Sequence, residues 1–201
     1  MIVDSDTNQE YPVHPLFEGK RYRVLGVGSR KMHLLHVYSI AFAVEDDAHL
    51  AVVADYLEDP GFMHRNLHGK ELAQVLARDS RFFTALMDAP LNKAAELVFH
   101  HHVKVDRMRE EMAHGLERAM APGSRERIAK LVNLVKRDLG KGERMIFRTR
   151  GNAVLWVDFD GSHEVDDEPV ARAIWSIFLG PESVTASLKE SIARGVAEMR
   201  G

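Results

Sequence analysis

The chain has 201 residues, with 27 Lys and Arg against 30 Asp and Glu, and its formal net charge is −3. This length and a hydrophobic fraction of 45% suffice for the core of one globular domain, which we expect to span residues 1–201. The sequence lacks the basic excess of a nucleic-acid-binding face, an apolar run of the roughly 20 residues that span a membrane, and any Cys for disulfides or thiol catalysis.

The chain begins with a polar segment and continues into a pair of strands. Residues 1–10 are polar, and we expect them to be mobile. They lack the basic and then apolar order of a secretory signal, so a chain that begins natively at Met1 is expected in the cytoplasm. Two β-branched and apolar runs within residues 22–44 flank a segment from Gly26 to Arg30. This pattern predicts two strands with Arg30 held at or near their junction.

Helical spacing follows the second strand. Asp46 or Asp47 can cap a helix over about residues 48–57, whose apolar residues fall on one face. Two further helical stretches are predicted over residues 70–79 and 82–87. We therefore expect three helices before the chain returns to the sheet.

A third strand is predicted over residues 93–104, with Phe99 and His101 on one side. His100 and His102 would then share the other face, as two metal ligands on a strand would. The sequence offers no third ligand near them, so we predict no metal site and no cofactor.

The remaining elements follow the same patterns. Helical spacing, with Asp106 as the first cap, predicts four helices, over residues 107–121, 125–139, 170–178 and 185–199. Alternation and an Asp-Gly turn predict three strands, over residues 144–150, 153–159 and 163–165. Strands and helices occur in blocks and do not alternate strictly, which favours the α+β class with a largely antiparallel sheet.

Two motifs lie near opposite ends of the chain. The first is Gly26-x-Gly28-x-Arg30, followed by Val37-Tyr38-Ser39-Ile40-Ala41-Phe42-Ala43-Val44. The second runs from Trp156-Val157-Asp158-Phe159-Asp160-Gly161 through Leu179-Gly180-Pro181 to Ser187-Leu188-Lys189. Together and in this order they resemble the chalcone isomerase-like superfamily over nearly all of the chain after Tyr22.

This resemblance implies a fold and a choice of functions. The fold is an open-faced β-sandwich of the chalcone isomerase type, with a large antiparallel sheet facing a helical layer across a ligand cleft. Some members cyclise a chalcone to a flavanone. Others hold a fatty acid by its carboxylate through an Arg and a Tyr. Non-catalytic members, including bacterial ones, keep the fold without the full catalytic set.

The resemblance also carries over individual positions. Arg30 matches the conserved Arg of the family, and Tyr38 matches a cleft Thr of the enzymes or the Tyr of the fatty-acid binders. The helical Tyr and Asn of the enzymes fall on Met108 and Gly115, and their late Thr falls near Ile177. Three positions that are polar and catalytic in the enzymes are therefore apolar or without a side chain here, which argues against chalcone isomerase chemistry.

From these positions we expect a non-catalytic protein that binds a fatty acid or a similar amphipathic carboxylate. Arg30 would bind the carboxylate and Tyr38 would add a hydrogen bond. Each buried methylene would contribute about 0.8 kcal/mol. The expected apolar walls, beside Gly115 and Ile177, are Phe42, Phe99, Met108, Met112 and Leu116.

Two alternatives stay open at this stage. In one, Arg30 polarises a carbonyl next to Tyr38, and the protein is an isomerase, an intramolecular lyase that cyclises a chalcone-like enone or a phenolic substrate. In the other, the protein is a structural or partner-binding domain whose cleft is filled by its own side chains. A cavity beside Arg30 would argue against this last alternative.

Overall fold

The structure is a computed structural model that describes residues 1–32, 34–46, 48–58, 67–183 and 185–200. Its strands are β1 Ile2–Asp4, β2 Gln9–Tyr11, β3 Leu16–Phe17, β4 Lys20–Met32, β5 Leu35–Glu45, β6 Lys93–Phe99, β7 Arg144–Arg150, β8 Val154–Asp158 and β9 Ser162–Asp166. Its helices are α1 Ala48–Glu58, α2 Gly69–Arg78, α3 Ser80–Asp88, α4 Val105–Ala119, α5 Arg125–Val132, α6 Glu168–Leu179 and α7 Ala186–Arg200. The division into one domain over residues 1–201 stays a prediction.

Strands β3 to β9 form one antiparallel sheet in which each strand pairs with its neighbours in sequence. Helices α1 to α3 are inserted between β5 and β6, and α4 and α5 between β6 and β7. The inserted helices bury their apolar faces in the same core as the sheet. The predicted α+β class, with a large antiparallel sheet and a helical layer, is confirmed.

The core lies between one face of the sheet and the helices. Phe42 on β5 is opposed to Ala95 on β6, which is opposed to Phe147 on β7, so all three residues project to this face. The Phe42 ring packs edge-on against Trp175 of α6, with 5.6 Å between the ring centroids. Aromatic side chains therefore join the middle of the sheet to the helical layer.

Helix α7 packs directly against β4 because two glycines leave room for its backbone. A Cβ atom on Gly26 would lie 2.5 Å from the backbone nitrogen of Ile192. A Cβ atom on Gly28 would lie 2.4 Å from the backbone nitrogen of Leu188. No side chain fits at either position without moving the helix, which gives the Gly-x-Gly motif its physical meaning.

Two serines of α7 complete this contact. The backbone N–H of Val27 donates to the Ser191 hydroxyl and that of Ser29 to the Ser187 hydroxyl, both at 3.0 Å. Side chains four residues apart on a helix thus meet backbone groups two residues apart on a strand. Strand β4 is held by the helix immediately before Arg30.

The first difference from the predicted elements is at the N-terminus. Residues 1–10 were expected to be mobile, yet β1 and β2 pair in an antiparallel hairpin. Tyr11 is buried, and its hydroxyl lies 2.8 Å from that of Ser39. Asp4 is also buried and accepts a hydrogen bond from Thr7 within the turn. Composition alone did not reveal these anchors.

Further differences lie around α4 and α5. Strand β6 ends at Phe99, so the prediction of a strand to residue 104 is wrong. Asp106 lies inside the first turn of α4, and the carboxylate of Asp138 accepts the backbone N–H of Val105 at 2.8 Å. Helix α5 ends at Val132 and not at residue 139, because Leu139 pairs with Val103 as a β-bridge.

The other predicted elements agree with the structure to within a few residues. The proposed cap Asp47 lies outside the described residues. None of the helices in the described part of the chain has the length and apolar character needed to cross a bilayer.

Candidate functional site

A cavity of about 460 Å³ lies between the inner face of the sheet and helices α4 and α6. This volume is within the range of about 300–1,000 Å³ typical of small-molecule sites. Most of the wall is apolar, and the polar side chains include Arg30, Arg107 and Glu111. The apolar part of the wall includes Val37, Leu97, Phe99, Met112, Phe147 and Phe178. The open cavity argues against the alternative in which the protein's own side chains fill the cleft.

Three predicted site residues form a row across adjacent strands. Arg30 on β4 is directly opposed to Tyr38 on β5, and Tyr38 is directly opposed to Phe99 on β6. Opposed residues project to the same face of a sheet with their Cβ atoms about 5 Å apart. The Tyr38 and Phe99 rings meet edge to face, with 5.7 Å between centroids. Strand register therefore brings together residues that are up to 69 positions apart (99 − 30).

An irregularity in the register shapes this row. Arg30 pairs with Tyr38, but Lys31 pairs with His36, which leaves Val37 without an opposed partner on β4. Such a β-bulge changes the direction of neighbouring side chains. Val37 and Tyr38 are consecutive residues, and both line the cavity.

The Tyr38 hydroxyl is a buried donor. The residue is only 8% exposed, and no other described residue offers this hydroxyl a hydrogen bond. Burial raises the pKa of the Tyr38 phenol above its ordinary value, although the nearby Arg30 charge opposes the shift. The phenol is therefore protonated at neutral pH. A buried hydroxyl without a partner is destabilising, so a ligand acceptor here would be favourable.

Arg30 lies in a charged group formed with α4. Its Nη2 atom is 3.7 Å from Oε2 of Glu111, and Nη2 of Arg107 is 2.5 Å from Oε1 of the same carboxylate. The Arg30 side chain is 25% exposed and that of Glu111 is 34% exposed. Arg107 also pairs with Glu110, with 2.9 Å between Nη1 and Oε2, so the group contains two guanidinium groups and two carboxylates. Of the two carboxylates, Glu111 is the one that also faces Arg30.

Six of the nine predicted site residues line this cavity, namely Arg30, Tyr38, Phe99, Met108, Met112 and Ile177. Phe42 is fully buried and covered by Trp175, so it belongs to the core behind the cavity. Leu116 is fully buried as well and does not line the cavity. The role of the six residues in binding stays a prediction.

Gly115 also lies outside the cavity wall, because α4 and α6 approach each other there. A Cβ atom on Gly115 would lie 2.9 Å from Cγ1 of Ile177. A polar side chain cannot be placed at residue 115 unless Ile177 moves. The position that matches the Asn of the enzymes is therefore closed by packing.

Arg107 and Glu111 also line the cavity, although the sequence did not predict them there. They are four residues apart on α4, and each precedes by one position a Met that lines the cavity, Met108 or Met112. Adjacent stripes of a helix border each other, so a charged pair beside an apolar stripe could have indicated the rim of a cleft.

The three consecutive histidines differ from the predicted arrangement. Because β6 ends at Phe99, His100 and His102 do not share a strand face as predicted. The His100 ring contacts the Ser39 hydroxyl at 3.0 Å, whereas the His102 ring lies 3.1 Å from the Asp138 carboxylate. Within the described ranges, no group of three or more His, Asp or Glu side chains could hold a metal ion.

Comparison with known proteins agrees with the second of the two motifs, which lies within the matched residues. The sequence model of the family described as chalcone isomerase-like matches residues 73–192, more than half of the chain. The crystal structure of a fatty-acid-binding protein from Arabidopsis thaliana superposes with a TM-score of 0.75 at 19% sequence identity. The alignment covers 98% of each chain. No curated protein matches the chain in sequence.

At this level of identity the structural likeness establishes the fold, an open-faced β-sandwich of the chalcone isomerase type. The family match covers β6 to β9 and most of the helical layer, including α4 with its charged pair. The predicted resemblance is confirmed: the chain belongs to the chalcone isomerase-like family.

Proposed function

We propose that this protein binds a fatty acid or a similar amphipathic carboxylate in the cavity and catalyses no reaction on it. The carboxylate would lie against Arg30 and Tyr38, and the hydrocarbon chain would extend along the apolar wall. One observation carries the proposal: a buried and protonated Tyr38 hydroxyl without a partner among the described residues lies beside the Arg30 guanidinium.

The energetics favour a ligand that has both a carboxylate and a hydrocarbon chain. Burying each methylene contributes about 0.8 kcal/mol, from which the cost of ordering the chain is subtracted. A carboxylate that enters an apolar cavity loses its hydration, so it needs charged or hydrogen-bonding partners there. Arg30 can supply paired N–H donors and a full positive charge, and Tyr38 can supply one O–H donor.

Two further findings support a binding protein over an enzyme. Met108, Gly115 and Ile177 occupy positions where the resemblance places polar catalytic groups, and Gly115 has room for a side chain only if Ile177 moves. The Arabidopsis protein with the same fold is a fatty-acid-binding protein by its title.

A second candidate function rests on the same two donors. Arg30 and a protonated Tyr38, on directly opposed strand positions, could also stabilise the oxyanion of an enone substrate. The reaction would be the intramolecular cyclisation of a chalcone-like compound. Loss of naringenin chalcone absorbance faster than the spontaneous rate, abolished by Arg30→Met, would establish this function in place of the first.

The first function is tested by the lipid that the protein carries and by its response to added acids. The purified protein is extracted and analysed by mass spectrometry, and its melting temperature is measured with decanoic, tetradecanoic and hexadecanoic acid. We expect a co-purified acid, and a rise in melting temperature that grows with chain length. An extract without lipid, together with an unchanged melting temperature for all three acids, would refute the proposal.

A further inference from the structure

The charged group at the cavity contains its own carboxylate. Glu111 lies 3.7 Å from Arg30, beyond the usual distance of a charge-assisted hydrogen bond, about 2.7–2.9 Å. The same carboxylate is only 2.5 Å from Arg107, four residues earlier on α4. Glu111 is therefore held mainly by its helix neighbour, while its negative charge still faces Arg30.

We propose that Glu111 is an internal competitor for Arg30, and that Glu111 and Arg107 together determine how strongly the cavity selects a carboxylate ligand. This inference rests on the proposed function. In the protein without ligand, Glu111 partly neutralises Arg30. When a ligand carboxylate arrives, Arg30 turns to it and Glu111 remains paired with Arg107.

The exchange keeps Glu111 paired. Before binding, Glu111 faces both Arg30 and Arg107, and Arg107 also pairs with Glu110 at 2.9 Å. After binding, the ligand carboxylate takes the place of Glu111 at Arg30, and Glu111 keeps Arg107. A neutral alcohol cannot replace Glu111 at Arg30, so its binding does not involve the competition.

The affinity that the ligand loses to this competition depends on how exposed Arg30 and Glu111 are. Arg30 and Glu111 are 25% and 34% exposed, so their attraction is weakened by water. Ion pairs of this kind contribute up to about 1 kcal/mol, which corresponds to a change in affinity of up to about fivefold. The binding free energy of a ligand carboxylate is reduced by this amount. The effect is the same as when a ligand binds only a less populated state of the protein.

Arg107 is a positioning residue that acts through Glu111. Without its partner at residue 107, Glu111 would turn fully to Arg30 and compete more strongly. The variants Glu111→Gln and Arg107→Gln should therefore change the affinity for a carboxylate in opposite directions. The double variant should behave like Glu111→Gln, because Arg107 has no competitor left to hold.

The experiment measures Kd for hexadecanoic acid and for hexadecanol by calorimetry in the full chain. We expect Glu111→Gln to bind the acid more tightly, by up to about fivefold, Arg107→Gln to bind it more weakly by a similar factor, and neither to change the Kd of the alcohol. Glu117→Gln is the matched control, because it removes the same charge from an exposed position of α4 and should change neither Kd.

Each outcome decides one of the two proposals. Unchanged or weaker acid binding by Glu111→Gln, or equal tightening for acid and alcohol, overturns the competitor role while the proposed function stands. A double variant that binds the acid more weakly than Glu111→Gln shows that Arg107 contacts the ligand directly and overturns its positioning role. Acid binding that is unaffected by Arg30→Met overturns the proposed function. If neither wild type nor Glu111→Gln binds the acid, both proposals fail.

Discussion

Arg30 and Tyr38 are directly opposed residues of β4 and β5, and both side chains line the same cavity. The pairing places a cation and a protonated phenol side by side, although neither their spacing in sequence nor their chemistry requires it. Their position depends on two features nearby, the bulge at Val37 and the close contact between β4 and α7.

Replacement of Tyr38 by Phe separates binding from stability. A hydrogen bond to a charged group contributes about 1.5–3 kcal/mol, so Tyr38→Phe should weaken the binding of hexadecanoic acid about tenfold to a hundredfold. The free energy of unfolding should not fall, because no described residue is bonded to the lost hydroxyl. Calorimetry and urea unfolding measure the two quantities.

The matched control for this variant is Tyr11→Phe. The Tyr11 hydroxyl is buried and bonded to Ser39 at 2.8 Å, outside the cavity. Its removal should lower the free energy of unfolding by about 1 kcal/mol and leave acid binding unchanged. The reverse pattern, with Tyr38→Phe unstable and still able to bind, would contradict the role given to Tyr38.

Replacement of Gly28 by Ala tests the support of Arg30. The new Cβ atom would lie 2.4 Å from the backbone nitrogen of Leu188, and a backbone contact cannot be relieved by a rotamer change. We expect a loss of about 3 kcal/mol in the free energy of unfolding, together with weaker acid binding. Urea unfolding measures the loss, and calorimetry measures the binding.

Gly115→Ala is the comparison for that variant. Its nearest contact is a side-chain atom, Cγ1 of Ile177 at 2.9 Å, which can move. The gain in helix propensity from Ala, about 1 kcal/mol, offsets part of the strain. We expect a loss of about 1 kcal/mol or less. Equal losses for the two variants would contradict the close backbone packing of α7 on β4.

Lys93 makes stability depend on pH. Its side chain is fully buried, and its ammonium group donates to the Ala89 carbonyl at 2.6 Å and the Asn152 side chain at 2.9 Å. Burial lowers the pKa of Lys93 to about 8. In the unfolded chain Lys93 has the higher pKa of an ordinary lysine. Between the folded and the unfolded pKa, the unfolded state therefore holds more protons than the folded state. The free energy of unfolding therefore rises with pH above about 8.

The measurement compares wild type with Lys93→Met from pH 7 to pH 9.5 by urea unfolding. The contribution of Lys93 should increase the wild-type free energy of unfolding, relative to the variant, by about 2 kcal/mol across this interval. Lys130→Met is the control, because its side chain is 74% exposed and should give a difference that does not change with pH. A constant difference for Lys93→Met as well would show that its pKa is not lowered.

Periodicity in the sequence predicted which face of a strand a residue occupies, but not which part of that face a helix covers. Tyr38 and Phe42 are four residues apart on β5 and therefore share a face. Trp175 covers Phe42, whereas Tyr38 lies beyond it and borders the cavity. The position of α6 along the strand separates a core residue from a site residue, and it depends on contacts distant in sequence.

Long-range contacts also explain the other missed features. Asp138 caps α4 from 33 residues away. The β-bridge between Leu139 and Val103 prevents the helix from continuing beyond α5. The Glu111 carboxylate of α4 meets Arg30 of β4 across 81 positions of sequence (111 − 30). Local propensity describes none of these contacts. Arg30 could be predicted because it belongs to a Gly-x-Gly-x-Arg motif. The two glycines of this motif are required by a close contact that no other residue would allow.

The most direct test of the central claim is the Kd of hexadecanoic acid for wild type and for Arg30→Met, with hexadecanol as the neutral ligand. Loss of the guanidinium should weaken acid binding about a hundredfold, the equivalent of about 3 kcal/mol, and change alcohol binding little. The control is Lys31→Met, which removes a neighbouring exposed charge and should change neither Kd. Equal acid affinity in wild type and Arg30→Met would contradict the account, because the carboxylate would then have another anchor.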